Sequence, residues 1–189
     1  MNLKGLTLAE IGAVVCRRLS DAGVEAVVVG GSSVTIHVPA VYTSNDIDLA
    51  LISGFNRNKA AKALKELGFR ESGRDFVHPD SPYAIDLVAE IPYVDQRPIR
   101  DFCTVTTPAG PVRTYYLEDA IADRIAAWVH WSDSQSLKVA ESALAASHEK
   151  IGGDRLSAAI AAIEAGDKRR EERLRLARSR LSKIVGSVV

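Results

Sequence analysis

Along the chain, hydrophobic positions recur first with mixed periods and later almost only with the helical one. Leu8, Ile11, Val15 and Leu19 recur at three- and four-residue spacing, which predicts an amphipathic helix over residues 7–22, capped by Thr7 and stopped by Gly23. A β-branched run at 25–29 reads as a strand. Gly30-Gly31 breaks it, and residues 32–37 read as a short helix. Residues 39–45 are loop, and the DIDLALI run at 46–52 alternates as a strand does. A helix over 56–67 closes at Gly68. A hairpin over 69–71 and 74–77 turns at Ser72-Gly73, and YAIDLV at 83–88 is a further strand. Residues 90–116 are Pro-rich and irregular, with short strands at 103–106 and 112–115. Helices then fill 117–131, 134–147, 154–165 and 167 to about 184. There is no internal repeat. The pattern sets an α/β region at 1–116 before a helical region at 117–189.

The chain has 189 residues, of which 47% are hydrophobic and 25% charged, a globular composition with room for a substantial core. No apolar run reaches the roughly 18 residues of a membrane span. Glu10 interrupts the apolar part of the N-terminus, and no small-residue cleavage site follows, so no signal peptide is expected and a cytoplasmic location is. Cys16 and Cys103 fit neither a disulfide framework nor a metal site and are expected to be buried. The formal net charge is zero, but eight Lys/Arg against three acids make residues 167–189 basic, at +5, on an acidic remainder. Such a segment suits contact with nucleic acid or with the body of the protein.

Asp46 and Asp48 stand two apart on a strand, so they share a face while Ile47, Leu49 and Leu51 point to the core. Asp86 interrupts another apolar strand. A carboxylate among Ile and Leu is costly to bury unless it is paired, hydrogen-bonded or bound to a cation. If the two strands are neighbours, three carboxylates converge, and a hard divalent cation such as Mg²⁺ relieves their repulsion. Gly30-Gly31-Ser32 lies between a strand and a helix. Glycines permit close backbone approach, and the first N–H groups of a helix lack partners, which suits an anion such as phosphate. Ser32 is in place to cap the helix and to donate to that phosphate. Neither GxxxxGK[ST] nor GxGxxG is present.

The combination resembles the nucleotidyltransferase superfamily related to DNA polymerase β: Gly31-Ser32, thirteen residues, Asp46-Ile47-Asp48-Leu49, then a later strand carboxylate. The wording VVGGSSVTIH…YTSNDIDLAL is most similar to its minimal branch, which includes AbiEii-type toxins of type IV toxin–antitoxin systems. The resemblance spans roughly residues 25–140 and implies an α+β nucleotidyltransferase fold, a mixed sheet flanked by helices, followed by a C-terminal helical bundle. It implies that Asp46, Asp48 and Asp86 are catalytic and hold Mg²⁺, and that Gly30, Gly31 and Ser32 bind the phosphates of an NTP. It further implies transfer of a nucleoside monophosphate to an RNA acceptor, tRNA foremost, with a cognate antitoxin as partner. The other acceptors it admits are a partner protein or a small molecule such as an aminoglycoside. A nucleotide-binding protein with weak catalysis is the remaining alternative.

In the helical region the same resemblance assigns phosphate binding to Arg124, where Lys is usual, and a place near the nucleotide to Asp133. An ordinary helix with Asp123 and Arg124 solvated is the alternative. Tyr42 and Thr43 precede the aspartates and are candidates to touch base or acceptor. Trp128 and Trp131 are expected to pack together with His130 on the rim. Leu174, Leu176, Leu181 and Ile184 give the basic last helix an apolar face.

Overall fold

In a computed structural model, residues 1–54 and 56–186 are described. The elements, in chain order, are α1 (Leu8–Asp21), β1 (Ala26–Val29), α2 (Gly30–His37), β2 (Asp46–Leu51), α3 (Arg57–Leu67), β3 (Arg70–Ser72), β4 (Asp75–Val77), β5 (Ala84–Ala89), β6 (Tyr93–Val94), β7 (Arg97–Pro98), β8 (Cys103–Thr107), β9 (Gly110–Thr114), α4 (Leu117–Trp131), α5 (Ser134–Ser147), α6 (Gly153–Ala161) and α7 (Lys168–Val185). Among the described residues, seven strands form one mixed sheet in the order β3-β4-β5-β2-β1-β9-β8.

The middle of that sheet positions the candidate site. β1 and β2 run antiparallel, with Val29 opposite Asp48. β2 and β5 run parallel, with Asp48 level with Asp86. Strand neighbours in register lie about 4.8 Å apart and share a face. One face buries Val28, Ile47, Leu49, Leu51 and Ile85 in a cluster with the apolar sides of α1 and α3. The other buries Val27, Val29 and Ala50 with residues of α4, α5, α6 and α7. α4 is central to that second cluster, contributing Ile121, Ile125 and Val129, each fully buried.

Local chemistry explains most boundaries. Thr7 and Glu10 form a reciprocal capping box at the start of α1. Asn56 caps α3, Asp133 caps α5 and Asp167 caps α7 through side-chain bonds to backbone N–H groups. Gly68, at φ 102°, ends α3 in the left-handed conformation that favours glycine.

Five expectations need correction. α6 stops at Ala161 because the Glu164 N–H donates to Asp95 Oδ2 at 2.6 Å instead of extending the helix. Asp95, at φ 54°, also turns the β6–β7 hairpin, which the sequence pattern does not announce. Trp131 is not packed but 77% exposed. Leu176 is exposed too, and Ala177 takes its place beside Leu174 and Leu181 in the core, three and seven residues after Leu174 as helical spacing requires. Cys16 and Cys103 are only partly buried.

Three arginines of the basic segment contact the body. Arg173 donates to Ser132 Oγ, Arg178 to the Ile160 carbonyl at 3.2 Å and Arg180 to Glu141. Lys168, Arg169 and Arg175 remain exposed. Among the described residues, no helix is long and apolar enough to cross a membrane.

Candidate active site

The site begins where β1 turns into α2. Gly30 has φ 64°, and a Cβ there would overlap the Asp48 carboxylate, so both backbone and space require glycine. At Gly31 a Cβ would sit 3.3 Å from the Tyr42 ring and 3.5 Å from Arg124 Nη1. Tyr42 from the loop and Arg124 from α4 therefore close over the glycine backbone. The first N–H groups of α2 have no intrahelical acceptor and start beneath that guanidinium.

Ser32 is fully buried and does not cap the helix, because the cap position belongs to Val29. Its hydroxyl donates to the Val29 carbonyl at 2.7 Å and accepts the Asp48 N–H at 3.2 Å. That bridge pins β1, α2 and β2 together and fixes where Asp48 stands. A similar tie comes from Thr35, whose Oγ1 accepts the Ser44 N–H at 3.0 Å; the Ser44 hydroxyl then donates to Asp46 Oδ1 at 2.8 Å.

Asp46 is exposed, whereas Asp48 and Asp86 are partly buried. Burial, and then the neighbouring Asp46, push the Asp48 carboxyl up to about 7, with Asp86 and Asp123 adding to the effect and Arg124 opposing it. Asp86 Oδ2 accepts from Arg74 Nη2 at 3.0 Å, although the Arg74 side chain is 81% exposed.

The alternative of a solvated Asp123-Arg124 pair does not hold. Both side chains are about four-fifths buried, and Arg124 binds Asp123 Oδ2 through Nε at 3.1 Å and Nη2 at 2.5 Å. Burial works against the Arg124 charge, but Asp123, with Tyr42 and Asp48 adding to it, more than offsets burial, so the guanidinium is held above its ordinary range. Asp133 is reached indirectly. Its carboxylate accepts from the Ser136 hydroxyl at 2.6 Å and from the Gln135 and Ser136 N–H groups, and Ser136 Oγ lies 3.5 Å from Arg124 Nη1. The Ser136 hydroxyl, first among these bonds, holds Asp133 below the usual carboxylate range.

Neither a protein-family model nor a curated protein sequence matches the chain. Solved structures do. The solution structure of the antibiotic-resistance factor ANT(2'')-Ia matches with a TM-score of 0.50 at 18% identity, over 82% of this chain and 89% of that one. The crystal structure of an antigenic nucleotidyltransferase-like protein from Paracoccidioides brasiliensis matches with a TM-score of 0.55 at 10% identity, over 100% of this chain and 96% of that one. The chain has a nucleotidyltransferase-like fold.

Within this nucleotidyltransferase-like fold, the two strands that carry Asp46, Asp48 and Asp86 lie side by side. The donors offered there are carboxylate oxygens, the chemistry of a hard divalent cation. Among the described residues, no three acidic, histidine or cysteine side chains form a ready-made metal cage. Mg²⁺ seldom needs one, since it is usually held by one or two carboxylates plus substrate phosphates. The donor set therefore fits a cation completed by a substrate. Arg74, Ser44 and Ser136 were not singled out in the sequence. Ser44 lies two residues before Asp46, a spacing that hints at its contact. Arg74 and Ser136 have no local signal, because tertiary packing brings them to Asp86 and Arg124.

Proposed function

We propose that the protein is a divalent-cation-dependent nucleotidyltransferase. It would move a nucleoside monophosphate from an NTP to a hydroxyl of an RNA acceptor, the end of a tRNA being the leading candidate. The observation that carries this reading is the register of Asp48 with Asp86 beside the glycine turn under Arg124. Asp46, Asp48 and Asp86 would hold Mg²⁺, whose role when bound is to neutralise charge on the triphosphate and the leaving pyrophosphate.

The chain's own residues supply the rest. Gly30, Gly31 and the start of α2 offer backbone N–H groups to the phosphates. Arg124 adds a fixed guanidinium, which Asp123 orients. Asp86 would accept the acceptor's hydroxyl proton as its oxygen attacks the α-phosphorus and the bond to pyrophosphate breaks. Ser32 acts structurally, through the Asp48 backbone, and Asp133 steadies Arg124 through Ser136. A toxin role with a cognate antitoxin rests on the resemblance of the VVGGSS…NDIDL wording alone.

The test uses NTPs labelled at the α- or the γ-phosphate, with Mg²⁺ and total RNA, a partner-protein lysate or an aminoglycoside as acceptor. The α-label should move to RNA while the γ-label leaves with pyrophosphate. Absence of α-label transfer to every acceptor refutes the enzyme reading, and label on protein or aminoglycoside alone refutes the RNA acceptor.

A further inference from the structure

Arg124 also lines a second feature, a cleft of about 580 Å³ that runs along α4 toward Trp131. That volume lies within the roughly 300–1,000 Å³ of small-ligand pockets. Trp131 and Tyr93 both line it, and they are 77% and 49% exposed. Aromatic rings left this open are common at binding surfaces. The other tryptophan, Trp128, lies on the same helix but packs against the core, with Nε1 donating to the Arg173 carbonyl at 3.4 Å. Loose packing of α4 therefore does not account for the exposure of Trp131.

The platform is braced from behind. The His130 ring meets Trp131 edge-on, with centroids 6.0 Å apart, and His130 Nε2 lies 2.8 Å from Asp95 Oδ1. Asp95 also receives the Glu164 N–H, so the β6–β7 hairpin and the segment after α6 are both fixed to the end of α4. Ala126, Ala127 and Gly166 keep the wall low between the aromatic rings and Arg124. On the wall Arg124 is paired with Asp123, Arg170 with the neighbouring Asp167 and Asp95 with His130, while Glu164 is exposed. Lys168 and Arg169, between the cleft-lining Gly166 and Arg170 in the chain, are exposed in the first turn of α7.

We propose that Trp131 and Tyr93 form a stacking site for a nucleobase at the end of a single-stranded nucleic-acid acceptor, with the first turn of α7 holding the phosphates behind it. The proposal rests on the nucleotidyltransferase reading and names how that acceptor is held. Every base has a π-face, so such a platform grips single strands with little regard to sequence. Exposed Lys and Arg supply the electrostatic part. Seven residues separate Arg124 from Trp131, about 10 Å along the helix, which keeps the terminal ribose near the proposed transfer site.

The experiment measures binding of a labelled short single-stranded oligoribonucleotide by fluorescence anisotropy. In parallel, tryptophan emission is followed in Trp128→Phe, where Trp131 is the sole reporter. Saturable quenching is expected. Trp131→Ala should weaken binding about tenfold, the order of one lost stacking contact, and Trp131→Phe should restore most of it. Asp48→Asn should bind the oligonucleotide as wild type does, so failure of stacking and failure of transfer are read separately. Unchanged affinity in Trp131→Ala overturns the proposal, as does quenching by Mg–NTP alone or by an aminoglycoside but not by the oligonucleotide. Because Trp131 is exposed, its truncation should leave the melting temperature near that of wild type, and anisotropy needs no change at Trp128.

Discussion

Asp48 is the residue on which most of the electrostatics converge. Its carboxyl is raised to about 7 by burial and by Asp46, against an ordinary value of 3.8. Between those two values the folded chain keeps a proton that the unfolded chain has released. This group's stabilising contribution is therefore complete below about pH 4 and is lost as pH rises through about 7. Metal-free protein should accordingly melt at a lower temperature at about pH 8 than at about pH 5. Asp48→Asn should remove much of the difference, on the order of 1–2 kcal/mol, in thermal melts across that range. Arg124→Ala should raise the KM for NTP by roughly tenfold, and Arg124→Lys, which lacks the planar fork, should recover only part of it in steady-state kinetics. The aspartates were legible in the sequence because an acid inside an apolar strand is anomalous wherever it occurs. Arg74 was not, because its contact with Asp86 depends on how the β3–β4 hairpin docks beside β5.

At the scale of elements, the β1–α2 turn joins backbone geometry to the site. Gly30 combines φ 64° with a position against Asp48 that no Cβ can share. Gly30→Ala should cost about 1–3 kcal/mol of stability and weaken Mg–NTP binding; denaturant melts and calorimetry on the same sample check both effects. Gly31→Ala should be milder in stability, since its Cβ would meet only the Tyr42 and Arg124 side chains at 3.3 Å or more. Helix limits were readable where caps announce them, as Thr7 with Glu10 and Asp133 do. The β6–β7 hairpin and the early end of α6 were not. Both depend on Asp95, which turns without glycine and takes a backbone N–H from sixty-nine residues away.

Across the whole molecule, the helices that cover the Asp48 face are held by ion pairs as well as by apolar packing. Asp119 on α4 is fully buried and binds Arg97 of the hairpin at 2.5 Å and Arg155 of α6 at 2.6 Å. Removing the anion takes this partner from Arg97, while Arg155 keeps Asp101, so Asp119→Ala should cost about 3 kcal/mol in denaturant unfolding. Nothing in the local sequence around Asp119 marks this role, whereas an α/β region followed by helices follows from hydrophobic period, and the mixed sheet flanked by helices is what the resemblance implied. The proposed function requires Asp48 and Asp86, level on adjacent strands, to hold a divalent cation together with a nucleotide. Electron paramagnetic resonance of Mn²⁺ with a non-hydrolysable NTP analogue tests it most directly. One Mn²⁺ bound per wild-type chain is expected when the analogue is present, with binding at least about tenfold weaker in Asp48→Asn and in Asp86→Asn, both still folded. Equal Mn²⁺ affinity in all three proteins would contradict it.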